Sequence, residues 1–329
     1  QLLPFLNLSN RNDFILVVGW LLAALRPHGP YPLLAIAGEQ GSAKTTLTRV
    51  LRALIDPNTA PVRSLPREER ELMIAANNGH VLAFENLSGL PPALSDSFCR
   101  LASGASFAVR RLYTNDEEML FQAARPIILN GIEEVISRPD LADRAIFLTL
   151  PSVLDEQRRP ENDFWREFEL AQPSIIGALL DASSYGLRML PSIRPISLPR
   201  MADFAVWACA CEVAFWPRGT FMRAFKENRR SAIQNVIDSE PLAAYIRHMM
   251  AGRRSWTGTA SDLLRAAEAF TENPPTMGWP RTPRALAGRL RRSQTFLRTI
   301  GIQIAFGREG HTGNRMITIT TAAVQKDAA

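Results

Sequence analysis

Gly38-Glu39-Gln40-Gly41-Ser42-Ala43-Lys44-Thr45 directly follows the apolar run Leu33–Ala37 and precedes a helix-compatible stretch, Thr46–Ile55. A strand, a glycine-bearing loop and a Lys-Thr pair opening a helix aim successive backbone N–H groups and the positive helix end at one point, an arrangement that holds phosphate. The chemistry implied is the handling of a nucleoside triphosphate, ATP. Gly38, Gly41, Ser42, Ala43 and Thr46 would form the cradle, Lys44 would reach the β- and γ-phosphates, and the Thr45 hydroxyl would ligate Mg²⁺. Ala43 stands where this pattern usually has glycine; its methyl group is accommodated provided the backbone stays at negative φ.

Further polar residues fall where such chemistry needs them. His80-Val81-Leu82-Ala83-Phe84 is a compact apolar strand whose carboxyl end presents Glu85, the acid expected to hold Mg²⁺ or polarise an attacking water. Asn86 follows in place of a second acid, so the general base stays open, with Glu39 and Asp96 in reserve. Asn130 closes the strand Pro126–Leu129 and is expected to hydrogen-bond the γ-phosphate or the water. Lys44, Glu85 and Asn130 thus share the carboxyl edge of the strands, where parallel sheets bind ligands. Arg144 immediately precedes the strand Ala145–Leu150. An arginine there could be donated in trans to a neighbouring protomer's ATP, or form a salt bridge with Asp140 or Asp143. Arg200 opens the helix Arg200–Phe215 and is read as a cofactor-binding reporter of the γ-phosphate, or as a plain helix-start arginine.

The elements that must position these residues change character along the chain. Through residue 150, strands alternate with helices, which predicts an α/β core with a mainly parallel sheet. Phe107–Tyr113 and Glu117–Ala123 read as a hairpin around Thr114-Asn115-Asp116, with Arg110 and Arg111 as candidate DNA contacts. After Pro151 helices take over: Asn162–Leu170, Pro173–Leu190 and Arg200–Phe215. The last segment reads as helix Thr259–Phe270, helix Pro283–Ile300, then strands Ile302–Phe306 and Arg315–Thr320 joined through Gly307–Gly313. Helices followed by a glycine-tipped hairpin predict a winged-helix-like module. The expected domains are an N-terminal helical segment (1–30), an ATPase core (31–152), a helical lid (153–240) and a basic C-terminal module (241–329).

Charge is concentrated in that module. The chain of 329 residues carries a formal net charge of +6, yet Met277–Thr320 holds eight arginines against Glu309 alone. The rest of the chain is therefore near neutral, and the C-terminal segment calls for an anionic partner, most directly DNA. Arg284, Arg291 and Arg292, on the helix whose inner face Leu286, Leu290 and Leu297 claim, and Arg308 and Arg315 of the hairpin are the candidate contacts.

The composition, 46% hydrophobic and 21% charged, suits a globular protein. Cys99, Cys209 and Cys211 do not make a disulfide framework, which points to a reducing, cytoplasmic setting. Phe14–Leu25 is too short for a bilayer span, which takes roughly 20 residues, so no membrane partner is expected. The chain opens on Gln1, as a piece of a longer protein would.

Taken together, Gly38–Thr45, His80–Asn86, the hairpin before Asn130-Gly131 and Arg138–Arg144 resemble AAA+ ATPases of helicase superfamily 3, and more closely the ATPase part of phage- and plasmid-type primase-helicase proteins. The resemblance implies a homo-hexameric ring with ATP between protomers, Arg144 as the trans arginine and hairpins lining a DNA channel. It also implies a primase or polymerase domain preceding Gln1 or encoded separately. Those relatives usually carry Asp where Glu85 stands. Three functions follow as expectations: a DNA helicase or translocase replicating a mobile element, an ATP-switched initiator or loader that does not unwind, and a small-molecule kinase. The arginine-rich module disfavours the last.

Overall fold

Leu33–Ala37 is apolar throughout, as a strand covered on both faces must be, and four of its five residues are buried. In the computed structural model, which describes residues 1–110, 118–132, 136, 138–270, 279–309 and 313–321, this strand lies inside the sheet that organises the first of two compact units, residues 1–230 and 231–329.

The first unit runs α1 (Arg11–Ala24), β1 (Leu33–Ala37), α2 (Lys44–Ile55), α3 (Glu69–Asn77), β2 (Leu82–Leu87), α4 (Pro92–Ser103), β3 (Ser106–Arg110), β4 (Glu118–Gln122), β5 (Ile127–Gly131), α5 (Pro139–Ala142), β6 (Ala145–Thr149), α6 (Glu161–Met189), α7 (Ala202–Glu212) and α8 (Thr220–Ser239), the last crossing into the second unit. Four strands form a parallel sheet in the order β2-β5-β1-β6. The α/β core with a parallel sheet is therefore as expected. β3 and β4 pair antiparallel as a separate hairpin; Arg111 and the turn Thr114–Asp116 lie outside the described residues.

The core of this unit is closed by helices that have no polar stripe. Leu16, Leu21, Phe204 and Ala210 are fully buried, and the Trp20 indole N–H donates to the Pro32 carbonyl at 2.9 Å. Cys209 and Cys211 are packing residues of α7. Burial pushes both thiols up to about 12, which leaves them inert. No helix among the described residues is long and apolar enough to cross a membrane.

One expected break is absent. The sequence places a helix end before Pro173, yet α6 runs unbroken through it. A proline inside a helix removes one backbone hydrogen bond and crowds the preceding turn. Here Phe168, Ile175, Leu179, Ala182 and Gly186 keep a single buried stripe across the proline, and the Gln172 amide donates to the Ala53 carbonyl at 2.9 Å. Tertiary packing outweighs the local penalty.

The second unit begins in α8 and continues with α9 (Pro241–Met250), β7 (Ser255–Thr259), α10 (Ala260–Phe270), α11 (Pro283–Thr299), β8 (Ile302–Arg308) and β9 (Arg315–Thr321). Its three strands form an antiparallel sheet in the order β7-β9-β8. The sequence reading missed α9 and β7. Ser255-Trp256-Thr257-Gly258-Thr259 has only one buried position, so it shows no alternation; pairing with β9 makes it a strand. Leu263, Leu286, Leu290, Leu297, Ile304, Ile317 and Ile319 form the core of this unit.

Candidate nucleotide site

The loop between β1 and α2 is shaped by its glycines. Gly38 has φ +154°, and a Cβ there would meet the Ser42 hydroxyl oxygen at 2.6 Å and the Leu150 carbonyl oxygen at 2.8 Å. Gly41 has φ +83°. Ala43 corrects the sequence expectation: its backbone is left-handed, with φ 62° and ψ 27°, not at negative φ. An L-residue with a Cβ pays roughly 1–2 kcal/mol for that conformation, and glycine would not.

Lys44 folds over the loop. Its ammonium donates to the carbonyls of Gly38 and Glu39, each at 2.7 Å, and reaches the Ser42 hydroxyl at 3.3 Å. Burial lowers its pKa. Lys44, Thr45 and Thr46 form the first turn of α2, the part of a helix whose backbone N–H groups have no intrahelical acceptors. Loop and helix thus converge donors on one place.

Glu85 comes to that place from 40 residues away. The Thr45 hydroxyl donates to its carboxylate at 3.1 Å. The pairing of β2 with β5 is in register to Phe84 and shifts before Leu87, and Asn86 within that irregularity has φ 57°. Asparagine is among the residues that tolerate this region at low cost. The reserve acids are occupied: Glu39 accepts from the Ser152 hydroxyl at 3.0 Å, and Asp96 pairs with Arg138 at 2.8 Å.

Asn130 lies in β5, beside Ile36 of β1, and is buried. Its amide is 3.5 Å from the Thr48 hydroxyl, which donates to the Lys44 carbonyl at 3.0 Å. A cavity of about 850 Å³ is bounded by Gly41–Thr46, Asn86–Ser88 and Asn130–Ile132. The parallel register thus brings Lys44, Thr45, Glu85 and Asn130 to one edge.

Arg144 and Arg200 are not brought there. Ala145 pairs with Leu33 at the start of β1, so Arg144 sits at the amino edge, about 16 Å from the loop at the ~3.3 Å rise of a five-residue strand. Its guanidinium donates to the Asp140 carbonyl at 2.6 Å and the Ser103 hydroxyl at 3.2 Å. Arg200 pairs with Asp140 at 3.4 Å and Asp143 at 3.7 Å on the same edge. Neither arginine reaches the loop of its own chain.

Several residues at the loop were not legible beforehand. The Asn7 amide donates to the Ser42 carbonyl at 3.1 Å and the Pro151 carbonyl at 2.7 Å, tying the N-terminal segment to the loop. A second cavity, about 550 Å³, opens beside Gly41, Ala43 and Thr46 against Phe5, Arg49 and Trp165. Arg49 lies 4.5 Å over the Trp165 ring and pairs with Glu161 at 2.5 Å. No local pattern marks Asn7, because both of its acceptors are remote in sequence.

Among the described residues, no three His, Cys, Asp or Glu side chains gather to hold a metal. Mg²⁺ needs no such group, since it commonly takes one or two protein oxygens and completes its shell with phosphate and water. Adjacent ligands of an octahedral Mg²⁺ lie about 3 Å apart, close to the 3.1 Å between the Thr45 and Glu85 oxygens. The donor pair fits that ion.

A four-stranded parallel sheet flanked by helices, with a glycine loop and Lys-Thr at the carboxyl end of an interior strand, defines an α/β protein. The chain belongs to the family of actinomycete integrative conjugative element replication proteins: residues 1–231 match that family's model, and residues 242–328 match the model of the AICE RepA C-terminal domain. No match was found among curated proteins. Among solved structures, the apo C-terminal region of NrS-1 is similar over 97% of this chain and 74% of its own, at 11% identity and a TM-score of 0.47. JCV helicase is similar over 72% and 65%, at 13% identity and a TM-score of 0.29. NtrX from Brucella abortus in complex with ATP is similar over 87% and 68%, at 13% identity and a TM-score of 0.31.

Proposed function

We propose that this replication protein of a conjugative element is an ATP-hydrolysing motor acting on DNA, a helicase or translocase. The observation that carries the reading is the bond from the Thr45 hydroxyl to Glu85 at 3.1 Å, which joins the loop lysine and threonine to the one acid at the end of β2. In this reading Thr45 and Glu85 hold Mg²⁺, which supplies charge neutralisation for the triphosphate. Lys44 exchanges its loop carbonyls for phosphate oxygens, Asn130 orients the attacking water, and the loop N–H groups bind the β-phosphate.

Arg144 and Arg200 lie at the amino edge, so any contact with ATP is made to a neighbouring copy. That geometry supports a ring, taken to be a hexamer, in which Arg144 stabilises transition-state charge in trans. The second unit, with its order of helix, strand, two helices and hairpin, is read as a winged-helix-like module that engages DNA through Arg284, Arg291, Arg292, Arg308 and Arg315. The β3–β4 hairpin, with Arg110, would face the DNA channel. A primase or polymerase partner belongs to the same reading.

An ATP-switched initiator or loader is the second reading. It is favoured by one observation: Glu85 is engaged with Thr45 and both reserve acids have other partners, so slow hydrolysis would suffice. The deciding experiment is ATP turnover with and without single-stranded DNA across protein concentration. Steep concentration dependence with DNA stimulation is expected of the motor. Flat, DNA-indifferent turnover overturns it. Strand displacement then separates motor from switch.

A further inference from the structure

The hairpin of the second unit changes chemistry along one face. On β8, Ile302, Ile304, Phe306 and Arg308 alternate onto the same side, and on β9 so do Arg315, Ile317 and Ile319. In register, Ile304 faces Ile319, Phe306 faces Ile317 and Arg308 faces Arg315. The face that is buried at its root therefore ends in two exposed arginines directly opposite each other. Like charges in that position destabilise a sheet. Among the described residues neither arginine has a carboxylate partner. An anion between them would reverse the sign of the interaction.

The wall opposite this face is α11. Thr282 caps it by accepting from the Ala285 N–H at 3.2 Å, and Leu286, Leu290 and Leu297 bury one side. The other side presents Arg284, Ala287, Gly288 and Arg291, at successive helical steps of three, one and three. These residues line a groove of about 1200 Å³ with Phe306, Arg308 and Arg315. Arg291 places its guanidinium carbon 4.6 Å from the Phe306 ring centroid, a cation–π contact that restrains the side chain beside the groove.

This geometry selects among nucleic acids. A single strand is held by stacking bases on open aromatic faces. Phe306 is the one aromatic among the described lining residues, and Arg291 already covers it. Ala287 and Gly288 leave the helix face low between two arginines, so that a groove floor can approach. Arg284 and Arg291 are seven residues apart, about 10.5 Å along the axis at ~1.5 Å per residue. Three base-pair steps span about 10.2 Å at ~3.4 Å per step. Arginine pairs bidentately with the O6 and N7 of guanine in the major groove.

We infer that this groove is a sequence-selective site for duplex DNA, in which Arg284 and Arg291 read guanines about three base pairs apart and the Arg308–Arg315 pair holds a phosphate. The inference rests on the reading of the second unit as a DNA-binding module and adds what that module recognises. It gives the protein a means of choosing where on its element to act.

The test uses the full chain. Duplexes with a randomised core are incubated with it, the bound fraction is sequenced, and the enriched duplex, its guanine-to-adenine variants and its separate strands are compared by fluorescence anisotropy. The expected result is a motif with two G·C pairs separated by two other pairs, bound at least tenfold more tightly than its single strands. Arg284→Ala should lose about 10- to 100-fold for the motif and several-fold less for random duplexes, which lose only the attraction of one cation. Arg291→Lys, which keeps a cation over Phe306 but removes the fork, should do the same at the second guanine. Arg308→Ala and Arg315→Ala should weaken all duplexes alike. An unbiased pool, equal binding to single strands, or an Arg284→Ala loss shared by every duplex overturns the inference while leaving a DNA-binding module standing. No binding to any DNA overturns both.

Discussion

The ammonium of Lys44 is held by two loop carbonyls and the Ser42 hydroxyl, whereas Arg284, Arg308 and Arg315 stand exposed, without a carboxylate partner among the described residues. Both regions are cationic, and they are built on opposite principles. The loop fixes a few donors by backbone geometry, with Gly38 packed against Ser42 and Leu150 and with Thr45 bonded to Glu85. The groove spreads cationic charge over a helix and a hairpin, and the charges repel one another until an anion arrives. A site of the first kind depends on single residues and is weakly screened. A site of the second kind is additive and falls steeply with salt.

The largest effect that could break this contrast is at Lys44. Lys44→Ala should lower ATP turnover at least ~100-fold, with an unchanged circular dichroism spectrum, because no other side chain replaces its charge among the phosphates. Turnover within threefold of the parent would mean that Lys44 is not the residue on which the loop depends. Glu85→Gln should follow, with turnover down ~100-fold and binding of a fluorescent ATP analogue retained; equal losses of both would show that Glu85 only builds the pocket.

Salt sharpens the same contrast. Between 50 and 200 mM salt, duplex affinity should drop by a factor of ten or more, with a log–log slope that becomes shallower by about one for each of Arg308→Ala and Arg315→Ala. Nucleotide affinity over the same range should change less than threefold. Identical slopes in the parent and the variants would remove these arginines from the phosphate contacts.

The smallest expected effect is at Ala43. Ala43→Gly relieves a left-handed Cβ worth roughly 1–2 kcal/mol but adds unfolded-chain entropy of about 0.4–1 kcal/mol. The net gain should lie between about 0 and 1.6 kcal/mol, read as an upward shift of up to ~6 °C in Tm. A lower Tm would mean that the methyl group makes packing contacts that outweigh its backbone cost.

Much of this was legible because it is local. Leu33–Ala37 announces a buried strand, Gly38–Thr45 a glycine-bearing loop that opens a helix, and the run of arginines after Met277 a cationic surface; each depends only on neighbours in sequence. The last two strands were likewise placed on either side of the glycine-bearing stretch Gly307–Gly313. Pro173, Ala43 and β7 misled for one reason, that local preference was outweighed by contacts made elsewhere: the α6 stripe against the core, the loop closing on α2, and pairing with β9. Only the tertiary structure could bring Glu85 to Thr45, tie Asn7 to Ser42, move Arg144 and Arg200 to the amino edge, or set Arg308 opposite Arg315. Strand register and close packing between distant segments decide those distances, and neither is written in any short stretch of chain.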